Sequence, residues 1–123
     1  MNDNLPHALI LAGGKSSRWG GIDKGLIEWQ GQALVEHVVK RLQYQVESIH
    51  ISCNRNAHNY RSIIEKYPCA STSQNSLPQC FEDHQWRNRG PLGGIFEFLS
   101  LYEAKRLQSA ANQHSQIFIC CCD

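Results

Sequence analysis

Apolar and polar positions along the chain alternate between two spacings, one typical of strands and one typical of helices. Four short apolar runs have strand character. They are Ala8–Leu11, the stretch around Ile49 and Ile51, Gln79–Glu82 and Ile117–Cys122. Ile49 and Ile51 alternate with polar neighbours, and the run at Gln79–Glu82 is the weakest. The pattern predicts four strands.

Between these runs, apolar residues recur at helical spacing in three segments. The first helix is predicted from Gln32 to about Gln45, and the second ends at Pro68, because proline cannot continue a helix. The third is expected to begin at Pro91. The apolar positions that define the three helices are Leu34, Val35, Val38, Val39 and Leu42; Tyr60, Ile63, Ile64 and Tyr67; and Ile95, Phe96, Leu99 and Tyr102.

The strict alternation of strand and helix implies parallel strands joined by helical crossovers. The predicted fold class is α/β, a three-layer sandwich around a mainly parallel sheet. A chain of 123 residues is long enough for one core, so residues 1–123 are predicted to form a single domain. In such sheets, functional residues lie just beyond the carboxyl ends of the strands.

The first predicted strand runs into a loop that combines glycines with cations. Its members are Gly13, Gly14, Lys15, Arg18, Gly20, Gly21 and Lys24. Glycines let backbone N–H groups approach an anion closely, because no Cβ stands in the way. The spacing excludes a P-loop, since position 9 is Leu9, and a dinucleotide-binding loop, since the next glycine after Gly13-Gly14 is Gly20. We interpret the loop as a different kind of triphosphate site.

Polar residues also follow the later predicted strands. Asn54 and Arg55 come after the second strand, Asp83 after the third and Asp123 after the fourth. Each has a local alternative: Asn54 could cap the next helix, Asp83 could start a turn, and Asp123 could be an ordinary terminal acid. Because the carboxyl ends of parallel strands meet at one edge, the set as a whole favours a site.

Composition restricts the class of partner. The formal net charge of +1 provides no general basic field for nucleic acid or for an acidic membrane surface. No apolar run is long enough to span a bilayer, and the first residues do not form a signal peptide. The expectation is a cytoplasmic protein without nucleic-acid or membrane partners.

The six cysteines and six histidines do not form a recognisable metal site. There is no Cys-x-x-Cys pair, and the consecutive residues Cys120, Cys121 and Cys122 point alternately to opposite faces of a strand. The cysteines are interpreted as small buried hydrophobic residues, with a cysteine-rich metal or redox protein as the disfavoured alternative. The histidines are scattered, without a carboxylate at metal-ligand spacing.

Several short motifs resemble those of one enzyme family. They are Leu11-Ala12-Gly13-Gly14, Arg18-Trp19-Gly20, Gly20-Gly21-Ile22-Asp23-Lys24-Gly25, Asn54-Arg55, Gly90-Pro91-Leu92 and Cys122-Asp123. Together they resemble the nucleotidyltransferases with a Rossmann-like, glycosyltransferase-A-like fold, and most closely the molybdenum cofactor guanylyltransferases. Trp19 is a departure, because the family usually has methionine there. Sugar-phosphate relatives usually have proline before the lysine, and cytidylyltransferases have Ala-Ala in place of Gly13-Gly14.

The resemblance implies transfer of GMP from GTP to molybdopterin, with release of pyrophosphate, and a strand order of 3-2-1-4. It implies that the nucleotide-binding residues are Leu11, Ala12, Gly13, Gly14, Lys24, Asn54, Asp83 and Asp123. Within that set, Asn54 and Asp83 would contact the guanosine. The catalytic residues would be Arg18, Lys24 and Asp123, and Asp123 would hold Mg²⁺.

The resemblance covers the nucleotide half of the family's domain. The sheet is therefore expected to be truncated after the fourth strand, with Ile117–Cys122 as an edge that self-association or a partner chain covers. Three alternatives to a guanylyltransferase remain open: a nucleotide-binding module without turnover, a related cytidylyltransferase and a sugar-phosphate nucleotidyltransferase.

Overall fold

Strands and helices alternate along the chain in a computed structural model that describes residues 5–13, 22–68, 80–82, 91–108 and 116–122. The elements are β1 His7–Ala12, a 3-10 helix Lys24–Leu26, β2 Glu28–Trp29, β3 Gln32–Ala33, α1 Leu34–Leu42, β4 Ser48–Cys53, α2 Ala57–Glu65, β5 Cys80–Glu82, α3 Pro91–Gln108 and β6 Ile117–Cys121. The four strands and three helices predicted from residue spacing are all present.

The main sheet has the order β5-β4-β1-β6, and every pairing in it is parallel. In order of appearance these are the third, second, first and fourth predicted strands, so the order implied by the resemblance is confirmed. Ala12 pairs with Cys53, and Leu11 pairs with Cys121. β4, β1 and β6 therefore end level with one another, at one edge of the sheet.

Helices cover both faces of this sheet. Alternate β1 residues, Ala8 and Ile10, belong to a core with Val35 of α1 and Ile63 of α2. Leu9, which points to the opposite face, packs with Phe98 of α3 and with other residues of that side. The predicted three-layer α/β sandwich is confirmed.

The polar residues of β4 do not mark a solvent face, because all six residues of the strand are buried. Ser52 and His50 lie beneath α3, and the ring of His50 is 4.9 Å from that of Phe98. Gly94 brings α3 close to the strand: a methyl group there would overlap the Ser52 hydroxyl and lie 3.4 Å from Leu11. The polar alternation around Ile49 and Ile51 thus reflects internal contacts.

A buried polar cluster joins the amino ends of β1 and β4. His7 Nδ1 lies 2.6 Å from the Ser48 hydroxyl, which lies 2.8 Å from His50 Nε2. His7 and His50 are far apart in sequence, and parallel pairing of β1 with β4 brings them together. Burial lowers the pKa of His7, although the Glu47 carboxylate 3.6 Å from Nε2 opposes that shift.

The first predicted helix begins later than expected. Gln32 and Ala33 form β3, which pairs antiparallel with β2 in a hairpin, so α1 begins at Leu34. Gln30 and Gly31 form the turn with φ angles of 52° and 80°, as tight hairpin turns require. Gly31 was the one local signal for this turn. At the other end, α1 stops at Leu42 rather than near position 45.

The interpretation of the cysteines as buried hydrophobic residues holds for Cys53, Cys80 and Cys122 but is wrong for Cys121, which is exposed on β6. Burial raises the pKa of Cys80 to about 12, so this thiol stays protonated near neutral pH.

The outer strand β6 carries exposed apolar side chains: Phe118 and Ile119 expose 50% and 42% of their surface. Cover of this edge by another segment or chain stays a prediction.

Among the described helices, none is long and apolar enough to cross a membrane.

Candidate functional site

The carboxyl ends of β1, β4 and β6 form the edge at which the sequence predicts a nucleotide site. Of the predicted site residues, the structure describes Leu11, Ala12, Gly13, Lys24 and Asn54. The other members lie outside the described residues: Gly14, Arg18, Asp83 and Asp123.

Gly13 and Asn54 are in direct contact. The side-chain amide of Asn54 donates a hydrogen bond to the carbonyl oxygen of Gly13. A methyl group on Gly13 would lie 3.2 Å from Asn54 Oδ1, which is a close approach. Asn54 does not cap α2, because Asn56 occupies the N-cap position. The helix-cap alternative for Asn54 is therefore excluded. Its side chain instead binds the backbone of Gly13, the residue that follows β1.

The segment that carries Lys24 is tied to α2 through the preceding residue. The Tyr60 hydroxyl donates to Asp23 Oδ1 at 2.5 Å, and Asn56 Nδ2 donates to Asp23 Oδ2 at 3.2 Å. Lys24 then begins a 3-10 helix and is partly buried. Both carboxylate oxygens of Asp23 are held by residues of α2 or its cap.

The end of β6 meets the same segment. Cys122 Sγ donates to the carbonyl of Leu11 at 3.7 Å, and a methyl group on Gly25 would lie 3.2 Å from that sulfur. Gly25 thus packs between α2 and the residue that precedes Asp123. Parts of the chain that are far apart in sequence come together at this edge.

A separate groove of about 440 Å³ lies between the β2–β3 hairpin, α1 and α2 and contains none of the predicted site residues. Its buried carboxylate, Glu36, already accepts a hydrogen bond from Tyr67 at 2.7 Å and lies 3.7 Å from the Lys66 ammonium. This groove does not share the chemistry of the glycine loop.

Comparison with known proteins decides the family. Residues 8–123 match the MobA-like NTP transferase domain. The chain belongs to the MobA-like NTP transferase family.

Individual relatives agree with this assignment. The molybdenum cofactor guanylyltransferase of Pseudomonas fluorescens is 31% identical over 127 residues, covering 100% of this chain and 52% of that protein. The enzyme of the same name from Pseudomonas syringae pv. tomato is 40% identical over 87 residues, covering 71% and 37%. That from Pasteurella multocida is 40% identical over 92 residues, covering 75% and 42%. The chain spans about half the length of these relatives or less.

Two residues at this edge of the MobA-like domain were not among the predicted site residues. Asp23 lies inside the Gly20–Gly25 motif, where only the lysine had been assigned a role. Tyr60 was interpreted as part of the apolar stripe of α2, and it is fully buried, yet its hydroxyl reaches Asp23. The polar tip on an otherwise apolar stripe was the available signal.

The surroundings of Tyr60 keep its hydroxyl protonated. Burial, together with the hydrogen bond to the Asp23 carboxylate, raises the pKa of Tyr60 far above its usual value. The hydroxyl therefore remains a donor throughout the neutral range. Within the described part of the MobA-like domain, no group of three or more His, Cys, Asp or Glu side chains is placed to hold a metal ion.

Proposed function

We propose that this chain is the nucleotide-binding part of an enzyme that transfers GMP from GTP to molybdopterin, with release of pyrophosphate. The observation that carries the proposal is the contact of Gly13 with Asn54 at the edge where the Lys24 segment also lies. The names of the relatives support guanylyl transfer as the specific reaction.

The reaction needs little covalent help from the protein. A phosphate oxygen of the pterin attacks the α-phosphorus of GTP, and the bond from that phosphorus to the pyrophosphate oxygen breaks. The attacking phosphate is already ionised, so no general base is required. Both reactants are anionic, and catalysis therefore depends on positioning and on charge neutralisation. We assign Arg18 and Lys24 to offset the charge that builds on the leaving pyrophosphate.

The binding residues divide between base and phosphates. We assign Leu11, Ala12, Gly13 and Gly14 to line the base and phosphates, because glycines at the strand end allow close approach of N–H groups. Asn54, with Asp83, is assigned to the guanosine.

In this proposal Asp123 holds Mg²⁺. A single carboxylate together with substrate phosphates is a ligand set that Mg²⁺ commonly uses. Cys122, the residue before Asp123, is buried beside Leu11 and Gly25 at this edge. When bound, the ion would supply positive charge to the phosphate oxygens.

The test combines binding with turnover. Isothermal titration of the chain with GTP, CTP and ATP, with and without Mg²⁺, should show tightest binding for GTP. The full-length protein should release pyrophosphate from GTP only when molybdopterin is present. Tighter binding of CTP would assign the protein to the cytidylyl branch, and binding without pyrophosphate release would favour a nucleotide-binding module. The cytoplasm stays the expected location for this reaction.

A further inference from the structure

The Asp23 carboxylate does not cap the helix that it precedes. Asp23 occupies the N-cap position of the 3-10 helix Lys24–Leu26, yet its side chain makes no capping hydrogen bond to that helix. An aspartate at such a position usually accepts from the first N–H groups of its own helix. Here its two oxygens accept instead from Tyr60 and Asn56, which belong to another part of the chain.

Tyr60 joins the core to this segment. Its side chain is fully buried among the residues that α2 packs against the sheet. Only the hydroxyl reaches the carboxyl edge, where it lies 2.5 Å from Asp23 Oδ1. A rigid, buried ring therefore fixes the position of the residue directly before Lys24.

Close packing fixes the residue directly after Lys24. A methyl group on Gly25 would lie 2.5 Å from the Tyr60 hydroxyl and 3.0 Å from its ring carbon Cε1. The backbone of Gly25 thus rests against the same tyrosine that holds Asp23. Lys24 lies between two residues whose positions both depend on Tyr60.

We propose that Tyr60 is a positioning residue that, through Asp23 and Gly25, holds the backbone of Lys24 so that its ammonium group is directed toward the nucleotide phosphates. This inference rests on the proposed function, since it takes Lys24 as a phosphate-binding cation. A lysine stem is flexible, and fixing its Cα reduces the conformational freedom lost when the ammonium binds. A preorganised charge also needs no rearrangement during the reaction.

The test is Tyr60→Phe, which keeps the buried ring and removes only the hydroxyl. The matched control is Tyr67→Phe, which removes a hydroxyl bonded to Glu36 on the groove side of the protein. Titration with GTP should show affinity reduced roughly fivefold to tenfold in Tyr60→Phe and unchanged in Tyr67→Phe. Affinity for guanosine, which has no phosphates, should stay within about twofold in both variants.

Two further measurements separate positioning from general stability. In a Lys24→Ala background, Tyr60→Phe should cause no additional loss of GTP affinity, because the cation that it positions is gone. Hydrogen exchange in peptides spanning 22–27 should accelerate in Tyr60→Phe, since the N–H groups of Leu26 and Ile27 bond to Asp23 and Lys24 carbonyls.

The outcomes are distinguishable. Equal GTP affinity in wild type and Tyr60→Phe would overturn the positioning role and leave the proposed function standing. Equal losses for guanosine and GTP, or an undiminished loss in the Lys24→Ala background, would show a purely structural tyrosine and also overturn it. A wild-type protein without affinity for GTP would overturn the proposed function and this inference together.

Discussion

The side-chain amide of Asn54 donates a hydrogen bond to the backbone carbonyl of Gly13, joining the residues that follow β4 and β1. The two strands end in register, with Ala12 opposite Cys53, so the next residue of each faces the other. Asn54 therefore fixes the start of the glycine loop. The side chain that we assign to guanosine is therefore already held in place by a hydrogen bond to the backbone.

Replacement of Asn54 by alanine should weaken both the fold and the site. Loss of one partly buried hydrogen bond should cost about 1 kcal/mol in the free energy of unfolding, measured by urea titration. GTP affinity should fall as well, because the carbonyl of Gly13 loses the donor that holds it. Asn59→Ala, at an exposed position on α2, is the matched control and should leave GTP affinity unchanged. Wild-type GTP affinity in Asn54→Ala would contradict the prediction.

Two glycines should respond differently to the same substitution. Gly13→Ala places a methyl group 3.2 Å from Asn54 Oδ1 and should reduce GTP affinity while circular dichroism stays near wild type. Gly31→Ala meets open space but has a φ of 80°, so it should lower stability by about 1–2 kcal/mol without changing GTP affinity. Gly13→Val should abolish binding. If Gly13→Ala instead unfolded the protein, this glycine would be structural.

Lys24→Ala should remove one charge-assisted contact with the phosphates. The expected loss is about 1.5–3 kcal/mol in binding free energy, or roughly 10- to 150-fold in the Kd for GTP. Lys40→Ala is the control for charge alone, because Lys40 is exposed on α1 and donates to Gln32. Equal Kd values for the two variants in calorimetric titrations would remove Lys24 from the site.

Stability should decrease as the pH falls below 6.5, the ordinary pKa of histidine. The pKa of His7 is lowered by burial, despite the Glu47 carboxylate, so in this range the unfolded chain binds more protons than the folded one. Protonated His7 would also face Ser48 and His50 in a buried cluster. Urea unfolding at pH 7.5 and 5.5 should show a larger loss for wild type than for His7→Gln. His58→Gln, at an exposed position, should keep the wild-type pH slope.

Local spacing was sufficient to predict most elements of the fold. The stripe of Tyr60, Ile63 and Ile64 predicts α2 because helix periodicity is decided within a few residues. The β2–β3 hairpin was not predicted, since it consists of two-residue strands whose apolar pattern is too short to detect. The one residue in the sequence that indicated a turn was Gly31, which has a positive φ in the structure.

Some residues of the candidate site could be predicted from the sequence, but Asp23, Tyr60 and the contacts between site residues could not. The glycine loop and Asn54 follow from the rule that parallel strands place their carboxyl ends at one edge. The Tyr60–Asp23 bond joins residues 37 positions apart, and the His7–Ser48 bond joins residues 41 apart. Such pairs depend on strand register and helix packing, which no local pattern contains.

The position of β1 between β4 and β6 has a consequence for synthesis of the protein. His7 finds its β4 partner 41 positions later, whereas Leu11 meets Cys122 only after 111 positions. A growing chain therefore carries a central apolar strand with one unpaired edge until β6 has left the ribosome. Contacts of such long range slow folding, because loop-closure entropy is lost before they can form. The contact between Leu11 and Cys122 forms only after that point, and shielding of the nascent chain from aggregation matters most during the interval before it.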